Sequence, residues 1–243
     1  MELYTLTEPI IELWKNIAAI NPQVVFKAGT AQRACNASRN FIADIELPSP
    51  LPRDCHIYDL PKFLGVIETC KGTDLPSIAF GEKSLVMKHE HGKVTIPYAH
   101  PAVIVVPPTA KFHLAEQVAS FDLPATMWTK IKRTAAVLQS KTIHLIIKDK
   151  TLVLKSINTK DREGASAAYN MPNTEVLTDT YSVWEIKFDA LELLPGDYTV
   201  TVGHIKSTES ANSATMFGLF FKLNDETRIV TYITSGNLVV KDR

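Results

Sequence analysis

Between positions 123 and 148 the chain carries Lys130, Lys132, Arg133, Lys141 and Lys148 and no Asp or Glu. Cations without neighbouring carboxylates suit phosphate binding, because a nearby acid would compete for each of them. The first three lie in "LPATMWTKIKRTAAVLQSK" (123–141), where Met127, Trp128, Ile131, Ala135 and Leu138 recur at helical spacing. Arg133 falls opposite that apolar stripe, flanked by Lys130 and Lys132. The rest of the outer face is Thr126, Thr129, Ala136 and Ser140. A solvated helix usually mixes signs, because Glu–Lys pairs at i,i+4 help it form. Here no acid contributes. Three readings stay open: a solvated surface helix, a phosphate-facing helix and a membrane-surface helix. The third is the weakest, since Met127 and Trp128 are needed for a core and nothing else marks a lipid anchor.

Other reactive side chains are scattered. His89-Glu90-His91 resembles a metal pair, with both histidines on one side of a strand. No third ligand is apparent and a turn follows at His91-Gly92, so a surface hairpin explains it better. Asp59, Asp189 and His204 can be nominated for a dispersed enzyme site, but a helix cap and a turn explain the first two. Cys35, Cys55 and Cys70 are odd in number and widely spaced, so they read as buried reduced thiols. No nucleotide-binding glycine run, G-x-S-x-G or paired-cysteine motif occurs. No catalytic residue, metal or cofactor is expected.

Most of the elements that must position these residues read as strands. The segments 142–148 and 151–157 flank a tight turn at Asp149-Lys150. A second hairpin spans 84–97, and 181–188, 198–204, 216–223 and 227–233 are further strands. "AVIVVPP" (102–108) reads as a strand ended by prolines. Helices are expected at 8–20, with Ile10, Leu13, Trp14, Ile17 and Ala18 inward and Asn16 outward, and at 124–139. Two short helices are expected, at 59–69 capped by Asp59 and at 188–194 stopped by Pro195-Gly196.

The layout occurs twice. Residues 2–17 and 116–131 align with Glu2 on Glu116, Trp14 on Trp128 and Ile17 on Ile131. This predicts two similar β-rich domains, 1–108 and 109–243, joined by a connector at about 106–113. The fold class is α+β. The 243 residues hold 26 basic and 26 acidic side chains, so the net charge is zero. That argues against a protein coated in nucleic acid but does not exclude one that meets it through a single basic face. No run of apolar residues is long enough for a membrane helix, and the acidic start lacks the layout of a signal peptide. A cytoplasmic protein is expected.

Several segments together resemble a known family. They are "LWKNIAAINPQVVFKAG" (13–29), "RACN" (33–36), "HIYDLPKFLG" (56–65) and "LLPGDYTV" (193–200). Their order and spacing resemble the sliding clamps of T-even-type bacteriophages, the processivity factors of DNA polymerase. The resemblance implies a DNA-clamp fold in which two similar domains per copy place helices around a hole. It implies a closed ring of three copies, with duplex DNA passing through without base-specific contact. Lys15, Lys130, Lys132 and Arg133 are then the DNA-facing residues. A second family arginine one turn further on is replaced here by Ala136.

Implied partners are duplex DNA, DNA polymerase, a clamp loader and the chain itself as a homotrimer, in the cytoplasm of an infected bacterium. Partner peptides carrying apolar anchors would dock beside the connector, at Val105, Val106 and Phe112. Those three could equally complete the cores of adjoining domains. The alternative class is a non-catalytic phage structural or assembly protein.

Overall fold

Period-two alternation dominates the chain, and most of it forms antiparallel strands. The structure, a computed structural model, describes residues 2–72, 75–89, 92–158, 164–188, 190–207 and 216–241. The chain divides into two units, Met1–Pro107 with Glu226–Val230, and Pro108–Asp225 with Thr231–Arg243.

Unit 1 begins with β1 (Glu2–Thr5), α1 (Glu8–Ile20), β2 (Val24–Phe26), β3 (Gly29–Cys35) and β4 (Phe41–Leu51). It continues with β5 (Cys55–Ile57), α2 (Leu60–Cys70), β6 (Ser77–Phe80), β7 (Ser84–His89), β8 (Gly92–Pro97) and a short 3-10 turn at Pro101–Val103. One sheet runs β1-β6-β7-β8, while β2 pairs with β5 and β3 with β4. The β3–β4 register jumps from Gly29 opposite Leu51 to Ala31 opposite Glu46. Pro48 and Pro50 fall in that irregularity, where the missing N–H groups cost no ladder bonds.

The core of unit 1 is built around Trp14, which is 1% exposed. Its ring lies 5.1 Å from Phe26 and 5.8 Å from Phe63, and Tyr4 stacks on it at 6.5 Å. Asp59 starts α2 by accepting a hydrogen bond from the Lys62 N–H at 2.9 Å.

Unit 2 opens with β9 (Phe112–Leu123), α3 (Ala125–Val137), β10 (Thr142–Lys148), β11 (Thr151–Ile157), β12 (Ser166–Asn170) and β13 (Glu175–Val176). It closes with β14 (Ser182–Lys187), β15 (Tyr198–Ser207), β16 (Met216–Leu223), β17 (Ile229–Ser235, its first two residues grouped with unit 1) and β18 (Asn237–Lys241). One sheet runs β12-β11-β10-β14-β18, and a second carries β13-β9-β15-β16-β17. The β10–β11 turn has positive φ at both Asp149 (48°) and Lys150 (59°), the twist that a two-residue hairpin favours. On β15, a Cβ at Gly203 would meet the Glu116 carbonyl oxygen at 2.0 Å. Only glycine lets β9 lie so close at that bulge.

The duplicated pattern has a packing counterpart. Trp128 and Ile131 on α3 are buried as Trp14 and Ile17 are on α1, and Trp128 packs edge-on to Phe188 at 5.1 Å. Other expectations need correction. Residues 188 and 190–194 form turns and irregular chain, not a helix. Leu191, Leu193 and Leu194 are all buried there, and the Leu194 N–H donates to the Tyr232 hydroxyl instead of to a helical carbonyl. The stretch 102–108 is no strand, because Pro101, Pro107 and Pro108 allow only a short turn and irregular chain. Asn16 is buried rather than outward, and Ala18, Met127 and Leu138 are half-buried. Ser140 is also buried, donating to the carbonyls of Thr142 and Ile157. Glu90 and His91 lie outside the described residues.

Phe63 is nearly fully buried against Trp14, so Phe63→Ala is expected to cost about 3–5 kcal/mol. Tyr58, exposed and a few residues earlier in the chain, is expected to change stability by less than about 0.5 kcal/mol when cut to Ala. Urea unfolding at one fixed protein concentration checks the contrast.

Candidate nucleic-acid interface

A helix that lacks acids on its surface must take its stability from elsewhere, and α3 takes it from both the core and its N-terminus. Pro124 precedes the helix and has no side-chain group with which to cap it. The cap comes from Asp197, 72 residues away in sequence, whose Oδ1 accepts from the Ala125 N–H at 2.8 Å. The Asp197 carbonyl also accepts from the Asn224 N–H at 2.8 Å, which fixes the turn that carries it. Next to it, the fully buried Tyr198 donates its hydroxyl proton to the Leu194 carbonyl at 2.7 Å. "LLPGDY" is therefore a brace for α3. Its carboxylate sits at the positive end of the helix dipole, away from the cations further along.

On the outer face, Lys130 and Arg133 are exposed, and neither has an ion-pair partner among the described residues. Thr129 and Thr134 turn their hydroxyls back to the carbonyls of Ala125 and Lys130, at 2.8 and 3.0 Å. Such a face leaves the two cations as its charged groups. Lys132 behaves differently, because its Nζ lies 5.9 Å from the Trp128 ring centroid in a cation–π contact. Val137 ends the helix at 82% exposure.

Lys15 stands in another environment. Its Nζ is 3.2 Å from Glu68 on α2. On the same helix Glu8 pairs with Lys71 at 2.8 Å, and Glu12 with Arg228 at 3.5 Å. Lys71 holds the Glu8 carboxyl below the usual carboxylate range, and Glu8 in turn raises the Lys71 ammonium. The charged side chains on the outside of α1 are thus internally matched, whereas those of α3 are not.

The remaining nominated residues are placed as follows. Val106 is exposed, and Val105 is half-buried with its N–H 3.4 Å from Gln23 Oε1, both in unit 1. Phe112 is half-buried at the start of β9 in unit 2. Asp59 is used as a cap. His204 packs edge-on to Trp184 and Phe217, at 6.4 and 6.2 Å. Asp189 lies outside the described residues. Cys35, Cys55 and Cys70 are free and buried, and burial pushes the Cys55 thiol up to about 12, which keeps it protonated at neutral pH. Among the described residues no group of three or more His, Cys, Asp or Glu could hold a metal ion. No described helix is long and apolar enough to cross a membrane.

Sequence reasoning missed Asp197 and Glu68. A Pro-Gly-Asp turn next to a buried Tyr signals a carboxylate held at a fixed place, but not which helix it caps. Glu68 gave no local signal, because it meets Lys15 across 53 residues of chain.

No family model matches the chain. The sliding clamp of Vibrio phage KVP40 is 25% identical over 202 residues, which span 81% of this chain and 89% of that protein. Among solved structures, A. fulgidus PCNA bound to the C-terminal region of FEN-1 matches with a TM-score of 0.67 at 15% identity, covering 99% of this chain and 100% of that one. PCNA from Thermococcus kodakaraensis gives 0.63 at 13% identity, with coverage of 97% and 98%. Proliferating cellular nuclear antigen from Entamoeba histolytica gives 0.66 at 8% identity, again with coverage of 97% and 98%. The fold is the α+β DNA-clamp fold.

Asp197→Ala is expected to cost about 1 kcal/mol, the usual loss for a missing cap. Hydrogen exchange should localise the effect. The amides of the first turn of α3 should exchange faster, while those of α2, capped by Asp59, should keep their protection.

Proposed function

We infer that this protein is a DNA sliding clamp of bacteriophage type, a ring that encircles duplex DNA and tethers a DNA polymerase for processive synthesis. The carrying observation is α3: within a DNA-clamp fold of zero net charge, Lys130 and Arg133 are exposed with no ion pair among the described residues. Duplex DNA presents a phosphate every few ångströms, so such a face attracts it without reading sequence. A few phosphate bonds per copy keep the attraction weak enough for the ring to move along the duplex. Retention on DNA then comes from topology and not from affinity.

The two units serve as the two clamp domains, with the boundary near residue 108. Three copies close the ring head to tail. The sheet of unit 1 ends at β1 and β8, and the five-stranded sheet of unit 2 ends at β12 and β18. Free edges invite pairing, and a heterologous contact between an edge of unit 1 and an edge of unit 2 in the next copy closes a ring at the correct rotation. Polymerase and an ATP-driven loader dock by short peptides beside the connector, with Val105, Val106 and Phe112 as apolar contacts. The site of action is the cytoplasm of the infected host.

Light scattering should give a particle of three times 27.0 kDa, about 81 kDa, at tens of micromolar, whereas a monodisperse 27.0 kDa species contradicts the ring. Replacing Lys130 and Arg133 with Glu is expected to shorten polymerase runs. The salt slope of duplex binding should fall by about 0.9 for each phosphate that the variant no longer neutralises. Unchanged run length with the trimer preserved would return α3 to an ordinary solvated helix.

A further inference from the structure

The cations of the two helices fall into separate classes. Those of α3 have no carboxylate partner among the described residues, while Lys15 on α1 is held by Glu68 at 3.2 Å. Both members of that pair are about half exposed, at 54% and 48%. A pair in that setting contributes little to folding, because solvent and salt screen it and two long side chains must be ordered to make it. Glu68 is not needed to start α2, which Asp59 caps, and Glu8–Lys71 and Glu12–Arg228 already tie α1 into unit 1. Thr69 beside it bonds its own helix, donating to the Val66 carbonyl at 2.9 Å. The carboxylate also exerts a weaker Coulombic pull on Lys71, but the side chain it contacts directly is Lys15.

We propose that Glu68 is an intramolecular stand-in for phosphate, releasing Lys15 to the DNA backbone and taking it back as the duplex moves. This rests on the reading of the protein as a sliding clamp. A lysine ammonium has three donors on a flexible four-carbon stem, so it can bond a carboxylate and a phosphate oxygen during a hand-over. The exchange replaces one charge-assisted hydrogen bond with another of similar strength, so Lys15 adds guidance with little net affinity. An unmatched lysine gains the whole counterion-release term on meeting phosphate, whereas a matched one must first give up its partner. Lys130 and Arg133 would then supply the standing attraction, and Lys15 an adjustable one whose strength Glu68 sets.

The test measures binding of a fluorescent linear duplex to the full-length protein across a salt series. Glu68→Gln keeps the shape of the side chain and the helix while removing the competitor. Thermal melting that matches wild type establishes that the fold is unchanged. The salt slope of this variant is expected to steepen by about 0.9 for each copy whose Lys15 reaches a phosphate, hence up to about 2.7 for three copies. Lys15→Ala in the Glu68→Gln background should remove most of that increase. An unchanged slope in Glu68→Gln overturns the proposal. So does an increase that survives Lys15→Ala, which would assign it to the general loss of negative charge. The underlying reading fails by a different signature: wild-type binding that neither depends on salt nor falls in Lys130→Ala/Arg133→Ala.

Discussion

The structure depends on holding a helix that cannot hold itself. An exposed face of Lys, Arg and Thr without a single acid forgoes the i,i+4 pairs that stabilise an isolated helix. A 13-residue helix of that kind is marginal in water, so tertiary packing must fix it. In α3 the fixing is done by Trp128, Ile131 and Ala135 below and by the Asp197 carboxylate at the N-terminus. The core and the cap let the outer face be chosen for charge alone. In α1 the same buried tryptophan position does the anchoring, but there the outer charges are matched by α2 and by Arg228.

This division clarifies the zero net charge. A strongly basic chain would bind phosphate everywhere and would hold DNA too tightly to move along it. Leaving the cations of α3 unmatched, while those of α1 are paired and the whole chain sums to zero, gives local attraction without global stickiness. The Lys15–Glu68 pair is cheap to break because both partners are about half exposed, so the lysine can serve fold and ligand in turn. In the proposed clamp affinity contributes little, because the hold on DNA is geometric.

Much of this was legible in the sequence. Helical periodicity gave α1 and α3, Asp59 gave the start of α2, and period-two alternation gave the β10–β11 hairpin. The basic face of α3 was legible because charge composition is local. Interactions that join distant segments were not legible. Asp197 reaches Ala125 across 72 residues, and Glu68 reaches Lys15 across 53. The expected helix at 188–194 failed for the same reason: a seven-residue segment has little helical stability of its own, and the Tyr232 hydroxyl takes the Leu194 N–H. Asn16 read as outward by spacing alone, yet it is 8% exposed in the folded chain. The sequence pattern reports which face is apolar on average and not which polar side chain is covered by a neighbouring element.

The central claim is that the protein holds DNA by enclosing it. The most direct measurement compares retention of the protein, once assembled on DNA, on a nicked circular duplex and on the same duplex after linearisation. The account predicts long-lived retention on the circle and rapid loss from the free ends once it is cut, with both persisting at a salt concentration that abolishes binding to short duplexes. Equal retention on circle and linear DNA, or loss from both as salt rises, would mean that phosphate affinity holds the complex and would contradict the account.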